Sequence, residues 1–255
     1  MSLLCTMAFG ERYARQARYL VADLRDQGVR ILILTDHPEF FQTFGNALVH
    51  PLHPRRFSYH LKKEAVRAAI AISGSATFID ADCVIRPGVS ADILRKALIH
   101  GFSPGFHCWK ISPIAEAGPY LYPATESAAR ELGITYDRDA ITCQEMLFNV
   151  TAEGGKEEVF LELWDRLEAH PGVIALPLRD PVHGGGGEGT VMGIAASGSG
   201  ITMHGTEEMD RSMLPRVFWH CALDYRMRPY HKARESILKH CGLLQPADLS
   251  KSALA

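Results

Sequence analysis

The hydrophobic and polar positions alternate between two kinds of segment. Val29 to Thr35 is a nearly continuous apolar run, the pattern of a strand buried on both faces of a sheet. Leu3 to Thr6 and Ala76 to Ile79 read as shorter strands of the same kind. Between them the apolar positions recur at helical spacing. Ala14, Ala17, Val21 and Leu24 share one face of a helix over Glu11 to Gln27, which Gly28 stops, and Leu61, Ala65, Ala68, Ala69 and Ile72 share another. Ser73-Gly74-Ser75 ends that second helix. Strand, helix and strand in succession predict a parallel crossover unit, and so an α/β sheet covered by helices.

Arg86-Pro87-Gly88 marks a turn into a helix over Ser90 to Ile99. From Phe102 to Pro123, proline, glycine and aromatic residues predict irregular strands and loops. Helical patterns return at Ala124 to Leu132 and Glu157 to Ala169, and Gly172 to Leu178 reads as a late strand. The run His183 to Gly189 is the one low-complexity segment, and it leads into a helix of small residues ending near Gly198. No linker separates independent domains. The expectation is one domain over 1–255, with a ligand-binding half to about 100, a second half over about 101–241 and a tail over 242–255.

Composition narrows the function classes only a little. Hydrophobic residues make up 47% of the 255-residue chain and charged ones 22%, with a formal net charge of -2. That balance gives no electrostatic reason to expect nucleic acid. The six cysteines form no CxxC pair and suit a reducing compartment. The amino terminus carries no basic leader and no long apolar run, so the chain reads as cytoplasmic, with peripheral membrane contact left open.

Candidate chemistry concentrates at Phe78-Ile79-Asp80-Ala81-Asp82-Cys83. Two carboxylates straight after a buried strand are costly unless a cation offsets them. A hard divalent ion shared by Asp80 and Asp82, completed by diphosphate oxygens, meets that need. The place also matches the rule that open α/β sheets bind ligands beyond the carboxyl ends of their strands. The alternative is that both acids cap the following turn.

This segment resembles the Asp-x-Asp motif of glycosyltransferases with the GT-A fold. Cys5-Thr6-Met7-Ala8-Phe9-Gly10, then a helix, then Leu32-Ile33-Leu34-Thr35-Asp36, resembles the nucleotide-binding start of such enzymes. The resemblance implies a Rossmann-like, mixed but mostly parallel sheet with helices on both faces. It also implies manganese or magnesium as cofactor and a nucleotide sugar, UDP by family analogy, as donor. Thr6, Ala8 and Asp36 would then lie near base and ribose, and Lys62 near the donor phosphates. Lys62, Lys63 and Arg67 equally fit a solvated helix face.

Thr142-Cys143-Gln144-Glu145-Met146-Leu147-Phe148-Asn149 resembles the DQDxLN segment of retaining family 8 enzymes, with Cys143 in place of the first acid. In that reading Gln144 or Glu145 handles the sugar; in the other, Glu145 is an acid on a helix surface. Gly187-Glu188-Gly189 resembles the GED motif beside the acceptor, with glycine at the second acid. Glu188 is therefore a candidate catalytic residue, or else simply an acid at a helix start. Val217-Phe218-Trp219-His220 and Arg228-Pro229-Tyr230 resemble the family 8 ending, which implies His220 as third metal ligand and Arg228 on the diphosphate. His204 competes with His220 for that role. The basic stretch Tyr225 to His240 suits either the leaving diphosphate or an anionic lipid surface.

The expected activity is transfer of a sugar from a UDP-sugar to a hydroxyl of a glycan or glycolipid, and the better-matched motifs, those of families 6 and 8, favour retention. A nucleotidyltransferase is the second reading, although Met7 to Arg12 is poor in the glycine such enzymes use. A catalytically silent nucleotide-sugar binding protein is the third.

Overall fold

The computed structural model describes residues 1–54, 58–86, 88–113, 121–137, 141–174, 187–204 and 217–220. In chain order the elements are β1 (Leu3–Ala8), α1 (Glu11–Asp26), β2 (Ile31–Thr35), β3 (Ala47–Pro51), α2 (Lys62–Ser73), β4 (Ser75–Ile79), β5 (Cys83–Ile85) and α3 (Ala91–Leu98). They continue with β6 (Gly105–Pro113), α4 (Leu121–Glu131), β7 (Ile141–Thr151), α5 (Lys156–Ala169), α6 (Pro171–Ile174), α7 (Glu188–Ser199), β8 (Met203–His204) and β9 (Phe218–His220).

Seven strands form one sheet in the order β3-β2-β1-β4-β7-β6-β8. The β1–β2, β2–β3, β1–β4 and β6–β8 pairs are parallel, and β7 runs antiparallel to both β4 and β6. The result is an α/β fold with a mixed, mostly parallel sheet. A separate two-stranded ribbon pairs β5 with β9.

Alternation along the strands builds two cores. Leu4 and Ala8 of β1 and Ile31 and Ile33 of β2 pack with Leu20, Leu24, Leu94 and Leu98 of α1 and α3. Cys5, Met7, Leu32, Leu34 and Phe78 face the other way, against Ala65 and Ala69 of α2, Trp164 of α5 and Val191 and Ile194 of α7. Because both faces are covered, the central strands read as unbroken apolar runs. Helix α7 is apolar all round and buried over its first nine residues, Glu188 included.

The stretch expected to hold irregular strands and loops contains β6, a nine-residue strand whose register with β7 shifts between Cys108 and Lys110 and again before Pro113. Two expectations need correction. The expected strand from Gly172 begins as the short helix α6, and its remainder lies outside the described residues. Glu145 sits on strand β7, not on a helix surface.

Asn149 lies within the segment that resembles a catalytic motif, but its position is structural. It is fully buried, and its amide donates to Ser2 Oγ at 3.0 Å and to Thr77 Oγ1 at 2.9 Å. Its carbonyl accepts from Thr151 Oγ1 at 2.8 Å. This network ties β1, β4 and β7 together two pairs along from the Ile79–Leu147 pair, on the side away from Asp80. Removing a buried hydrogen-bond hub leaves several polar groups without partners. Asn149→Ala should therefore lower the free energy of unfolding by about 2–4 kcal/mol in a urea titration; a loss below about 0.5 kcal/mol would contradict the assignment.

Candidate functional site

The carboxyl ends of β1, β2 and β4 share one edge of the sheet with the start of α2. Asp36 follows β2, and its Oδ1 accepts the backbone N–H of Gly10 at 2.8 Å, tying the β1–α1 turn to the end of β2. Thr35 Oγ1 donates to the carbonyl of Ala8 at 2.7 Å. Ala8 thus ends β1 at this edge, whereas Thr6 is enclosed two residues earlier, with its hydroxyl buried and unpartnered. Of the residues expected around the nucleotide, Ala8 and Asp36 border the edge. Thr6 lies inside the layer, because its side chain faces the helices.

Asp80 follows β4, and its backbone N–H donates to the carbonyl of Met146 at 2.9 Å, which brings β7 alongside. Its Oδ1 stands 3.0 Å from Lys62 Nζ. The same ammonium donates to the carbonyl of Glu145 at 3.1 Å and lies 3.5 Å from Glu188 Oε1. It also sits 5.3 Å from the centroid of the Phe78 ring. Lys62 is only 3% exposed and Glu188 only 2%. Gln144 precedes Glu145 on β7 and is half-buried.

Charge accounts for the electrostatics of this cluster. Burial is the largest influence on the Glu188 carboxyl and pushes it well above the usual carboxylate range; Lys62 opposes that shift, and Glu145 and Asp80 reinforce it. Burial alone would weaken the Lys62 ammonium, yet Asp80, Glu188 and Glu145 together hold it above its ordinary value. Lys62 therefore remains charged.

The start of α7 explains the missing second acid. A β-carbon at Gly189 would stand 2.3 Å from the carbonyl oxygen of Cys143 and 3.1 Å from Glu145 Oε1. Only glycine lets the helix approach β7 this closely. That approach allows Glu145 Oε1 to accept the backbone N–H of Gly189 at 2.8 Å. Gly187 offers no side-chain cap, so a carboxylate 44 residues away in sequence caps the helix instead.

Asp82 is 9% exposed in the turn between β4 and β5. Its charge contributes, after burial and the Tyr59 hydrogen bond, to raising the Tyr13 hydroxyl to about 12. The backbone of His220 pairs with Cys83, the residue after Asp82, while the His220 side chain and the whole of Arg228 lie outside the described residues. His204 is ruled out as a partner of Asp80. It lies on β8, three strands from β4, where its ring stacks on His107 at 4.2 Å and its Nε2 donates to the carbonyl of Pro104 at 3.0 Å.

The other basic residues of α2 meet protein acids as well. Lys63 is buried against Glu168 and stands 3.0 Å from Asp165, and Arg67 pairs with Glu64 and Asp165. Both lysines are buried against protein acids and not presented to open solvent. Sequence reasoning missed this because the acids that hold Lys63 come from α5, about a hundred residues later.

No family model matches the chain, and no curated protein does. Among solved structures, the WbbM bifunctional glycosyltransferase in its apo form is similar over 76% of this chain, at 13% identity and a TM-score of 0.43. The alignment spans 37% of that protein, little more than a third of its length. Among the described residues, no helix is long and apolar enough to cross a membrane.

The raised Glu188 carboxyl sets a pH dependence. An unfolded glutamate ionises near about 4.3, so the contribution of Glu188 is complete below that pH and is lost as pH rises through the higher folded value. Glu188→Gln keeps the shape and removes the ionisation. Its melting temperature relative to the native chain should rise by several degrees between about pH 5 and about pH 8 in a thermal melt. A constant difference across that range would contradict the assignment.

Proposed function

We propose that the chain is a glycosyltransferase that moves a sugar from a nucleotide-sugar donor to an acceptor hydroxyl, with the GT-A arrangement of its sheet. The observation that carries this reading is the meeting of Asp80, Glu145 and Glu188 around Lys62 at the carboxyl edge of a mostly parallel sheet. In this reading the ends of β1, β2 and β4 seat the nucleotide, UDP by family analogy, and the start of α7 faces the sugar and the acceptor. The acceptor is a glycan or a glycolipid.

The residues present fit a hard divalent ion, manganese or magnesium. Their donors are carboxylate oxygens, and Asp82 stands two residues past Asp80 in the turn between β4 and β5. Among the described residues no three His, Cys, Asp or Glu side chains gather as a metal-binding group, so diphosphate oxygens, and His220 next to Asp82 along the β5–β9 ribbon, would complete the shell. Bound there, such an ion supplies Lewis-acid stabilisation of the leaving diphosphate.

The chain's own residues do the rest. Asp36 holds the β1–α1 turn in place, and the backbone N–H of Asp80, bonded to the Met146 carbonyl, fixes Asp80 at the end of β4 for the ribose side of the donor. Glu145 and Glu188 lie side by side at the helix start. In this reading their carboxyl groups stabilise the positive charge that develops at the anomeric carbon. Gly189 leaves no room there for an inverting base, which favours retention. Arg228 belongs in this reading to the diphosphate.

A panel of nucleotide sugars, each incubated with manganese, tests the proposal through release of nucleoside diphosphate. One donor should be hydrolysed slowly, and Asp82→Asn should lower that rate by about 100-fold or more. Pyrophosphate release from a nucleoside triphosphate would point instead to a nucleotidyltransferase, and manganese-dependent binding without turnover to a silent binding protein.

A further inference from the structure

The ammonium of Lys62 has three N–H donors, and three protein oxygens surround it: Asp80 Oδ1, the Glu145 carbonyl and Glu188 Oε1, at 3.0, 3.1 and 3.5 Å. At 3% exposure it has no face turned to an open cleft. A lysine that binds phosphate needs a donor directed at the ligand; Lys62 is turned instead to Asp80 and the Glu145 carbonyl, while Glu188 Oε1 is an ion-pair partner that accepts no hydrogen bond.

The three oxygens belong to three different pieces of the site. Asp80 ends β4, Glu145 lies on β7, and Glu188 opens α7. We propose that Lys62 is a positioning residue, not a donor contact: its buried charge clamps the start of α7 onto the ends of β4 and β7 and so sets the spacing between the nucleotide side and the sugar side of the site. The proposal rests on the glycosyltransferase reading for those two sides; the clamp itself rests on the distances alone.

The physical need for the clamp follows from charge. Asp80, Glu145 and Glu188 are three acids from three elements, and the Lys62 ammonium is the cation that holds them to one point. Glu145 also caps α7 through the Gly189 N–H. Without the ammonium, the α7 start loses its tie to the end of β4 and moves away from β7, which carries Glu188 off the sugar side. The nucleotide side, built on β1, β2 and the Asp82 turn, would remain.

The test compares the native chain with Lys62→Met and with Lys62→Met combined with Glu188→Gln. The readouts are UDP affinity with manganese by titration calorimetry, amide hydrogen exchange over residues 187–190, and kcat and KM for hydrolysis of the donor that the panel identifies. For Lys62→Met we expect UDP affinity within about threefold of native, exchange at the α7 start faster by about tenfold or more, and kcat lower by about 100-fold with little change in KM. Adding Glu188→Gln should return exchange to within about threefold of native, because the amide keeps the shape and carries no charge that needs the ammonium. A tenfold or greater loss of UDP affinity with unchanged exchange would overturn the proposal and make Lys62 a phosphate contact.

Should Lys62→Met fail to fold, the double variant decides by its UDP affinity: within threefold of native supports the clamp, and a tenfold loss overturns it. Should the native chain bind no UDP, the glycosyltransferase reading fails, while the clamp is still judged by exchange. Faster exchange in Lys62→Met that Glu188→Gln reverses sustains it, and unchanged exchange overturns it.

Discussion

A charged amine removed from water is tolerated only where oxygens replace its hydration, and Lys62 has them on three sides. The arrangement constrains more than the lysine. It requires α2 to begin at the carboxyl edge of β4, β7 to run antiparallel beside β4, and α7 to start against β7. Gly189 meets the last requirement by omitting a side chain, and Glu145 meets it again by capping the helix. Removing one member of such a cluster leaves buried charge behind, at a cost of about 3–5 kcal/mol in comparable buried pairs.

The same edge concentrates what a nucleotide-sugar enzyme would need. Asp36 and Ala8 border it on one side, Asp80 and Asp82 follow the central strand, and Glu188 closes the other side. The far end of these strands is occupied differently, by the Asn149 network of hydroxyls and amide that links β1, β4 and β7. One end of the sheet is thus tied by neutral hydrogen bonds and the other by opposed charges. The first holds the strands together; the second is available for chemistry.

Much of the scaffold was legible in the sequence because it depends on local pattern. The apolar runs of β1, β2 and β4, the stripe of α1 and, except for the exposed Ile72, that of α2, and the position of Asp80 just past a strand follow from spacing within a few residues. What could not be read depends on distant partners. Lys62 and Lys63 look like a solvated helix face until β7, α5 and α7 bring their acids, from 83 residues away for Glu145 and 105 for Glu168. The irregularity of the stretch after Phe102 was legible, but not why glycine stands at position 105, where Thr202 and His204 crowd the backbone. Glycine at position 189 looked like a lost acid; the packing of α7 on β7 gives it a steric reason.

Crystals soaked with UDP and manganese test the central claim most directly, since the anomalous signal of manganese locates the ion independently of the rest of the map. The account predicts a manganese peak at Asp82 with the diphosphate beside it, over the ends of β1 and β4, and Lys62 still paired with Asp80 and Glu188. A diphosphate bound elsewhere on the molecule, or one gripped by Lys62 after it has left both acids, would contradict it.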